Sequence, residues 1–156
     1  SAGIVVDSGI TTDRHGRTSD PHIWAAGDCA SCLFHGDRIR LESVGNAIDQ
    51  AEAIARNIMG ADQPYAPKPW FWSDQYDCKL QIAGLNTGYT DVYTRMGDAP
   101  GVQSNWYFKG AQLLAVDAMN DPRNYMIGKR LIEAGRSPTP AQITDPATDM
   151  KALLKP

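Results

Sequence analysis

The pattern of the 156 residues predicts an α+β fold in two parts, short strands plus a helix first, then an antiparallel sheet plus helices. Three observations carry that expectation. Apolar spacing switches from short β-type runs to a helical period across Ser43 to Met59. Pro64, Pro67 and Pro69 then rule out a continuing helix and leave an extended connector. Beyond it come four strand-like runs separated by glycine-containing turns. A domain boundary is expected in the connector, dividing 1–62 from 63–156.

Gly3-Ile4-Val5-Val6-Asp7 reads as a strand, with nothing ahead of it to pair with, so the interior of a longer protein is expected. Ile10 to Thr12 and Ile23 to Ala26 are further short β-type runs, separated by the polar turn Asp13 to Arg17, whose Gly16 makes positive φ inexpensive. In the helix, Val44, Ala47, Ile48, Ala51, Ile54, Ala55 and Ile58 fall at i, i+3, i+4 and i+7, an alanine-rich stripe expected to be buried. Ser43 can cap its start and Gly60 can end it. Leu80 to Leu85, Asp91 to Met96, Gln103 to Phe108 and Leu113 to Met119 read as an antiparallel meander. A helix capped by Asp121 with Pro122 at its first position, and stopped by Gly135, should follow. Asp145-Pro146 is expected to open a last short helix through Leu154.

Lys and Arg number 15 against 18 Asp and Glu, a net charge of −3, and no basic run exceeds Lys129-Arg130, so nucleic acid is not an expected partner. With 42% hydrophobic and 21% charged residues the chain is far from a disordered composition. Apolar stretches such as Leu113 to Val116 are far short of the roughly 20 residues that cross a bilayer. The first residues lack a basic region and apolar segment of a signal peptide. Three cysteines, two of them in Cys29-x-x-Cys32, make no disulfide framework, and a cytoplasmic setting is expected.

The densest chemistry lies in Thr18 to Asp28. A strand ending in Gly27-Asp28 would place a carboxylate at its carboxyl end, where α/β sheets collect ligands and hydroxyl groups find an acceptor. A plain turn Asp after a buried strand satisfies the same residues. Cys29-x-x-Cys32 has no second pair, and Cys78, His15, His22 and His35 lack metal-ligand spacing, so no metal is expected.

Ala25-Ala26-Gly27-Asp28 resembles the second flavin-binding motif of the FAD-dependent pyridine nucleotide-disulfide reductase superfamily. Arg40 to Ala51 and Pro69-Trp70-Phe71-Trp72-Ser73-Asp74-Gln75 resemble, at matching separations, the putidaredoxin reductase and rhodocoxin reductase group of ferredoxin reductases. The resemblance spans nearly the whole chain but only the last part of that group's chain. It implies the closing segment of an FAD-binding domain followed by a C-terminal interface domain, with Gly27 and Asp28 at the ribityl chain. It further implies Glu42, Ser43 and Val44 at the pyrimidine edge and Trp72 near the flavin. Free amides at a helix start suit negative charge on a reduced flavin, although the stripe alone would also fit a plain amphipathic helix. Trp70, Phe71 and Trp72 suit either a flavin neighbour or a hydrophobic hinge.

No Gly-x-Gly-x-x-Gly occurs, so neither the FAD pyrophosphate nor NAD(P)H has its usual glycine turn here. The resemblance therefore implies a fragment of an NAD(P)H-dependent enzyme that passes electrons through FAD to a [2Fe-2S] ferredoxin serving a P450 or ring-hydroxylating oxygenase, inactive alone. A homodimer through the C-terminal domain is compatible with it. A non-catalytic dimerisation or docking module, or a flavoprotein of the monodehydroascorbate reductase or apoptosis-inducing-factor type, are the alternatives.

Overall fold

The structure, a computed structural model describing residues 2–155, shows two compact units that part between Pro69 and Trp70. In the first, β1 (Ile10–Thr11) runs parallel to β2 (Ala30–Phe34), which turns at His35-Gly36 into antiparallel β3 (Asp37–Ile39). His35 and Gly36 have φ of +50° and +96°, which is why a glycine serves that turn. A 3-10 turn, Gly27–Cys29, precedes β2, and α1 (Val44–Ile58) follows β3.

Two of the expected strands do not form. Between residues 3 and 7 the pairing is one bridge from Val6 to Ile10, because Ser8 and Gly9 at positive φ fold the chain straight back. Ile23 to Ala26 contributes one bridge, from Trp24 to Arg17. Its neighbourhood is built of turns: Asp13 Oδ1 accepts the His15 and Arg17 amides at 2.8 and 2.9 Å, and Asp20 Oδ1 accepts the His22 amide at 2.8 Å. The strand that does form, β2, lies just beyond and was not anticipated; nor was β3.

The caps of α1 follow expectation. Ser43 Oγ accepts the Asn46 amide at 3.2 Å, and Gly60 leaves the helix at φ +95°. Its faces do not. Asn46, Gln50, Ile54 and Asn57 are buried, while Val44, Ile48 and Ile58 stand 55–60% exposed, so most of the alanine-rich stripe points outward and of its members only Ile54 is buried. The inner side is polar because it satisfies loops. Asn57 donates to the His15 and Gln63 carbonyls at 3.0 and 2.9 Å and accepts the Gln63 amide at 2.8 Å. Tyr65 ties the proline-rich connector to this unit through its amide, donated to the Arg14 carbonyl at 2.8 Å.

The second unit is a five-stranded antiparallel sheet covered by helices: β4 (Trp70–Gln75), β5 (Cys78–Gly84), β6 (Asp91–Met96), β7 (Gln103–Lys109), β8 (Gln112–Met119), then α2 (Pro122–Glu133), α3 (Pro140–Thr144) and a 3-10 turn, Met150–Leu154. The strand order is β4-β5-β8-β7-β6, which corrects the meander. Ala115, Val116 and Ala118 of β8 are fully buried, and a strand with such residues belongs in the centre, paired with β5 on one side and β7 on the other. The aromatic run Trp70-Phe71-Trp72 forms the unforeseen edge strand β4.

Asp121 caps α2, accepting the Asn124 amide at 3.0 Å, with Pro122 at the first turn. Trp106, Phe108, Leu113 and Val116 of the sheet pack with Ile127, Leu131, Ile143 and Met150 into one core. Near the C-terminus the helix expected from Asp145 is replaced by α3, opened by a Thr139/Gln142 capping box, and by the 3-10 turn capped by Asp149. Between them Arg95 donates to the carbonyls of Ile143, Asp145, Pro146 and Thr148 at 2.6–3.2 Å, a claim on the backbone that keeps 145–148 out of a helix. Among the described residues no helix is long and apolar enough to cross a membrane.

Candidate functional site

Gly27 sits at φ +72°, and a Cβ there would meet the Ala47 side chain at 3.3 Å. Glycine is required twice, by its conformation and by the close approach of the turn to α1. Its amide donates to Gln50 Oε1 at 2.8 Å in a buried bond, and Asn46 Nδ2 donates to the same oxygen at 3.4 Å. Asn46 also donates to the Leu41 carbonyl at 3.1 Å and accepts from the Tyr65 hydroxyl at 2.9 Å. This chain of buried polar groups fixes the 3-10 turn against the first turns of α1. Burial, with Asp49 and Cys32 adding to it, pushes the Tyr65 phenol up to about 12, so it remains a donor throughout the physiological range.

Asp28 follows Gly27 within the 3-10 turn, which corrects its expected place at the end of a strand. Its carboxylate is exposed and engages no donor among the described residues. At the adjacent helix start Ser43 spends its hydroxyl on Asn46, and the amides of Val44 and Gly45 have no partner within the helix. Those amides carry the positive end of a 15-residue helix. Glu42 is exposed and pairs with Arg40 at 2.6 Å.

An acceptor carboxylate on one turn and free amides on the neighbouring helix start give a rim with both polarities, where a polyhydroxylated chain and an electron-rich ring edge each find a partner. The structure brings Gly27, Asp28 and the helix-start residues Ser43 and Val44 into the first unit. Trp72 belongs to the second, on edge strand β4, stacked on Trp70 at 5.3 Å with rings 18° apart. Cys29 is exposed, Cys32 is buried with its thiol pushed up by that burial, and all three cysteines are free. The described residues contain no cluster of metal-ligating side chains.

Gln50 and Asn46 were not singled out from the sequence, and Tyr65 was read only as one of a cluster of aromatics. A signal existed: Asn46, Gln50 and Asn57 fall at i, i+4 and i+11, one helix row of amides opposite the apolar stripe.

Comparison with known proteins finds a family match in each unit. Residues 1–51 match the family described as pyridine nucleotide-disulphide oxidoreductase. Residues 70–154, more than half of the chain, match the family described as reductase C-terminal, and the chain belongs to that family. A ferredoxin–NAD(P)(+) reductase of a Sphingomonas species is 42% identical over 99% of this chain and 38% of its own length. The crystal structure of the ferredoxin reductase for the CYP199A2 system from Rhodopseudomonas palustris superposes with a TM-score of 0.93 at 38% identity, covering 99% of this chain and 39% of that one. In the covalent putidaredoxin reductase–putidaredoxin complex the matching chain gives 0.90 at 37% identity, with coverage of 98% and 37%. The chain thus spans somewhat over a third of the length of these relatives.

Proposed function

We propose that this chain is the C-terminal portion of an FAD-dependent NAD(P)H:ferredoxin oxidoreductase, which delivers electrons to a [2Fe-2S] ferredoxin of an oxygenase system. The observation that carries the reading is the Gly27-Asp28 turn held against the start of α1 by Gln50, next to unspent helix amides. Residues up to Pro69 would close the FAD-binding domain, and those from Trp70 on would form the interface domain. The three free thiols suit a reducing, cytoplasmic compartment.

These residues fit FAD. The missing Cβ at Gly27 lets the turn lie close against Ala47 of α1, which holds Asp28 at the helix start, and the unpartnered Asp28 carboxylate would accept hydrogen bonds from ribityl hydroxyls. When bound, the flavin supplies the step from two-electron hydride chemistry to single-electron transfer. Ser43, Val44 and Glu42 hold the pyrimidine edge, where the helix dipole favours negative charge. Gln50 and Asn46 orient the turn that carries Asp28, and Trp72 offers an indole face that excludes water from the ring.

Asp28→Ala in the full-length protein tests this. Removing a charged acceptor should weaken flavin binding roughly 10–100-fold, measured as flavin absorbance retained per polypeptide after dilution and filtration. Retention equal to the parent would overturn the role of Asp28.

A further inference from the structure

The proline-rich connector sends one hydroxyl to the buried face of α1. Tyr65 donates to Asn46 Oδ1 at 2.9 Å, and its own amide is anchored on the Arg14 carbonyl at 2.8 Å. Asn46 and Gln50 are only 7% and 2% exposed, so water is poorly placed to replace a partner lost there.

The orientation of the Asn46 amide reaches both halves of the candidate rim. With its oxygen held by Tyr65, Nδ2 faces the Leu41 carbonyl at 3.1 Å, two residues ahead of the Ser43 cap, and Gln50 Oε1 at 3.4 Å. Gln50 Oε1 is in turn the acceptor of the Gly27 amide at 2.8 Å. Were the amide reversed, its oxygen would face two other oxygens and both contacts would become repulsive. Without the Tyr65 hydroxyl, Oδ1 is a buried acceptor with no donor. The side chain relieves that only by rotating toward another donor, which draws Nδ2 away from Leu41 and Gln50. The Gln50 arm is longer than an ordinary hydrogen bond, so the disturbance is felt first at the 41–43 approach to the helix start and less at Gly27.

We propose that Tyr65 is a positioning residue of the flavin site: its hydroxyl fixes the Asn46 amide, and through that amide it aims the helix-start groups and steadies the turn that carries Asp28. The inference rests on the reading of this rim as the flavin site. Tyr65 itself touches no flavin in this role. Its effect passes through Asn46, and it originates in the connector, outside the segments that make the rim.

The test compares full-length protein with its Tyr65→Phe, Tyr107→Phe and Asp28→Ala variants. Tyr65→Phe keeps the ring and deletes the hydroxyl, and Tyr107→Phe makes the same deletion against Asp117 in the second unit. Flavin release after dilution and the midpoint potential of the bound flavin against a reference dye are read in each. Tyr65→Phe should release flavin roughly 3–10-fold faster. It should also hold flavin at a more negative potential, because amides less well aimed favour the electron-rich reduced ring less. Tyr107→Phe should leave the potential unchanged and release within about twofold of the parent. Parental release and potential in Tyr65→Phe would overturn the proposal, and so would equal changes in both Tyr→Phe variants, which would trace the effect to general loosening. Asp28→Ala separates the two possible failures. Faster release from Asp28→Ala with a parental Tyr65→Phe removes the positioning role and keeps the flavin reading, whereas parental release from both removes the flavin reading and the positioning role with it.

Discussion

Beneath α2 lie Ile127 and Leu131 against Trp106, Phe108 and Val116, all nearly inaccessible to water, while beneath α1 lie Asn46, Gln50 and Asn57 with Ile54 among them. The second unit closes its own hydrophobic core and has a source of stability within its own residues. The first directs its principal helix at hydrogen-bonding turns and leaves the apolar side outward, so its specificity comes from satisfied polar groups. Apolar burial and buried polar satisfaction are therefore concentrated in different parts of the chain.

The largest expected effect tests that division. Trp106→Ala, which empties the centre of the second core and removes the indole donor to Ser104 Oγ at 3.1 Å, should cost about 3–5 kcal/mol of that unit's stability. Ile48→Ala on the exposed face of α1 should change the 156-residue chain by no more than about 0.5 kcal/mol. Denaturant unfolding monitored by tryptophan fluorescence and far-UV circular dichroism checks both, and similar losses for the two variants would erase the contrast.

In the first unit the sensitive residue is polar. Gln50→Leu retains bulk but leaves the buried Gly27 amide without its acceptor, at a cost of about 1–3 kcal/mol. Hydrogen exchange of the Gly27 amide should accelerate in this variant while amides of β7 and β8 stay protected. Faster exchange in both units would show that the turn is not a local device.

How far the sequence reached follows the same line. Caps were legible because each is a local chemical event: Ser43, Gly60, Asp121 with Pro122. Strands of the second unit were legible where they are bounded by glycine turns, but their order was not, since the insertion of β8 between β5 and β7 is a non-local consequence of its small buried residues. The direction of the α1 stripe was misread because periodicity reports which residues share a face and not what lies opposite it. Asp28 was singled out by its place after Gly27 and by the resemblance of its motif, whereas Gln50 was passed over because the apolar row of α1, and not the amide row opposite it, was read as the buried face.

Titration separates the units further. Burial raises the Asp117 carboxyl, and the hydrogen bond it accepts from the Tyr107 hydroxyl at 2.7 Å only partly opposes this. Its pKa is thus higher folded than unfolded, the folded state holds the proton more tightly, and stability is lost as pH rises from the unfolded value through the folded one. Asp117→Asn should flatten that decline in the second unit while leaving the response of the first unchanged. Above pH 10 both units should weaken together, because Tyr65 and Tyr107 are each pushed up to about 12 and remain neutral when their unfolded counterparts ionise. Melting temperatures across the two pH ranges check the signs, and a rise in stability through the Asp117 range would contradict them.

The smallest effect concerns Glu42, which stands just ahead of the α1 cap and pairs with Arg40 at 2.6 Å with both side chains about half exposed. An exposed pair of this kind contributes about 0–1 kcal/mol and is screened by salt, and its carboxylate near a helix start adds a few tenths at most. Glu42→Gln should therefore lower the melting temperature of the chain slightly at low salt and not at all at 1 M. Flavin affinity of the full-length protein answers a different question. A side chain that contacts the pyrimidine edge does so by a short hydrogen bond that salt screens weakly, so Glu42→Gln should alter flavin release at both ionic strengths. Release unchanged at both would confine Glu42 to its pair with Arg40 and leave the proposed contact at the pyrimidine edge to the helix-start amides of Val44 and Gly45.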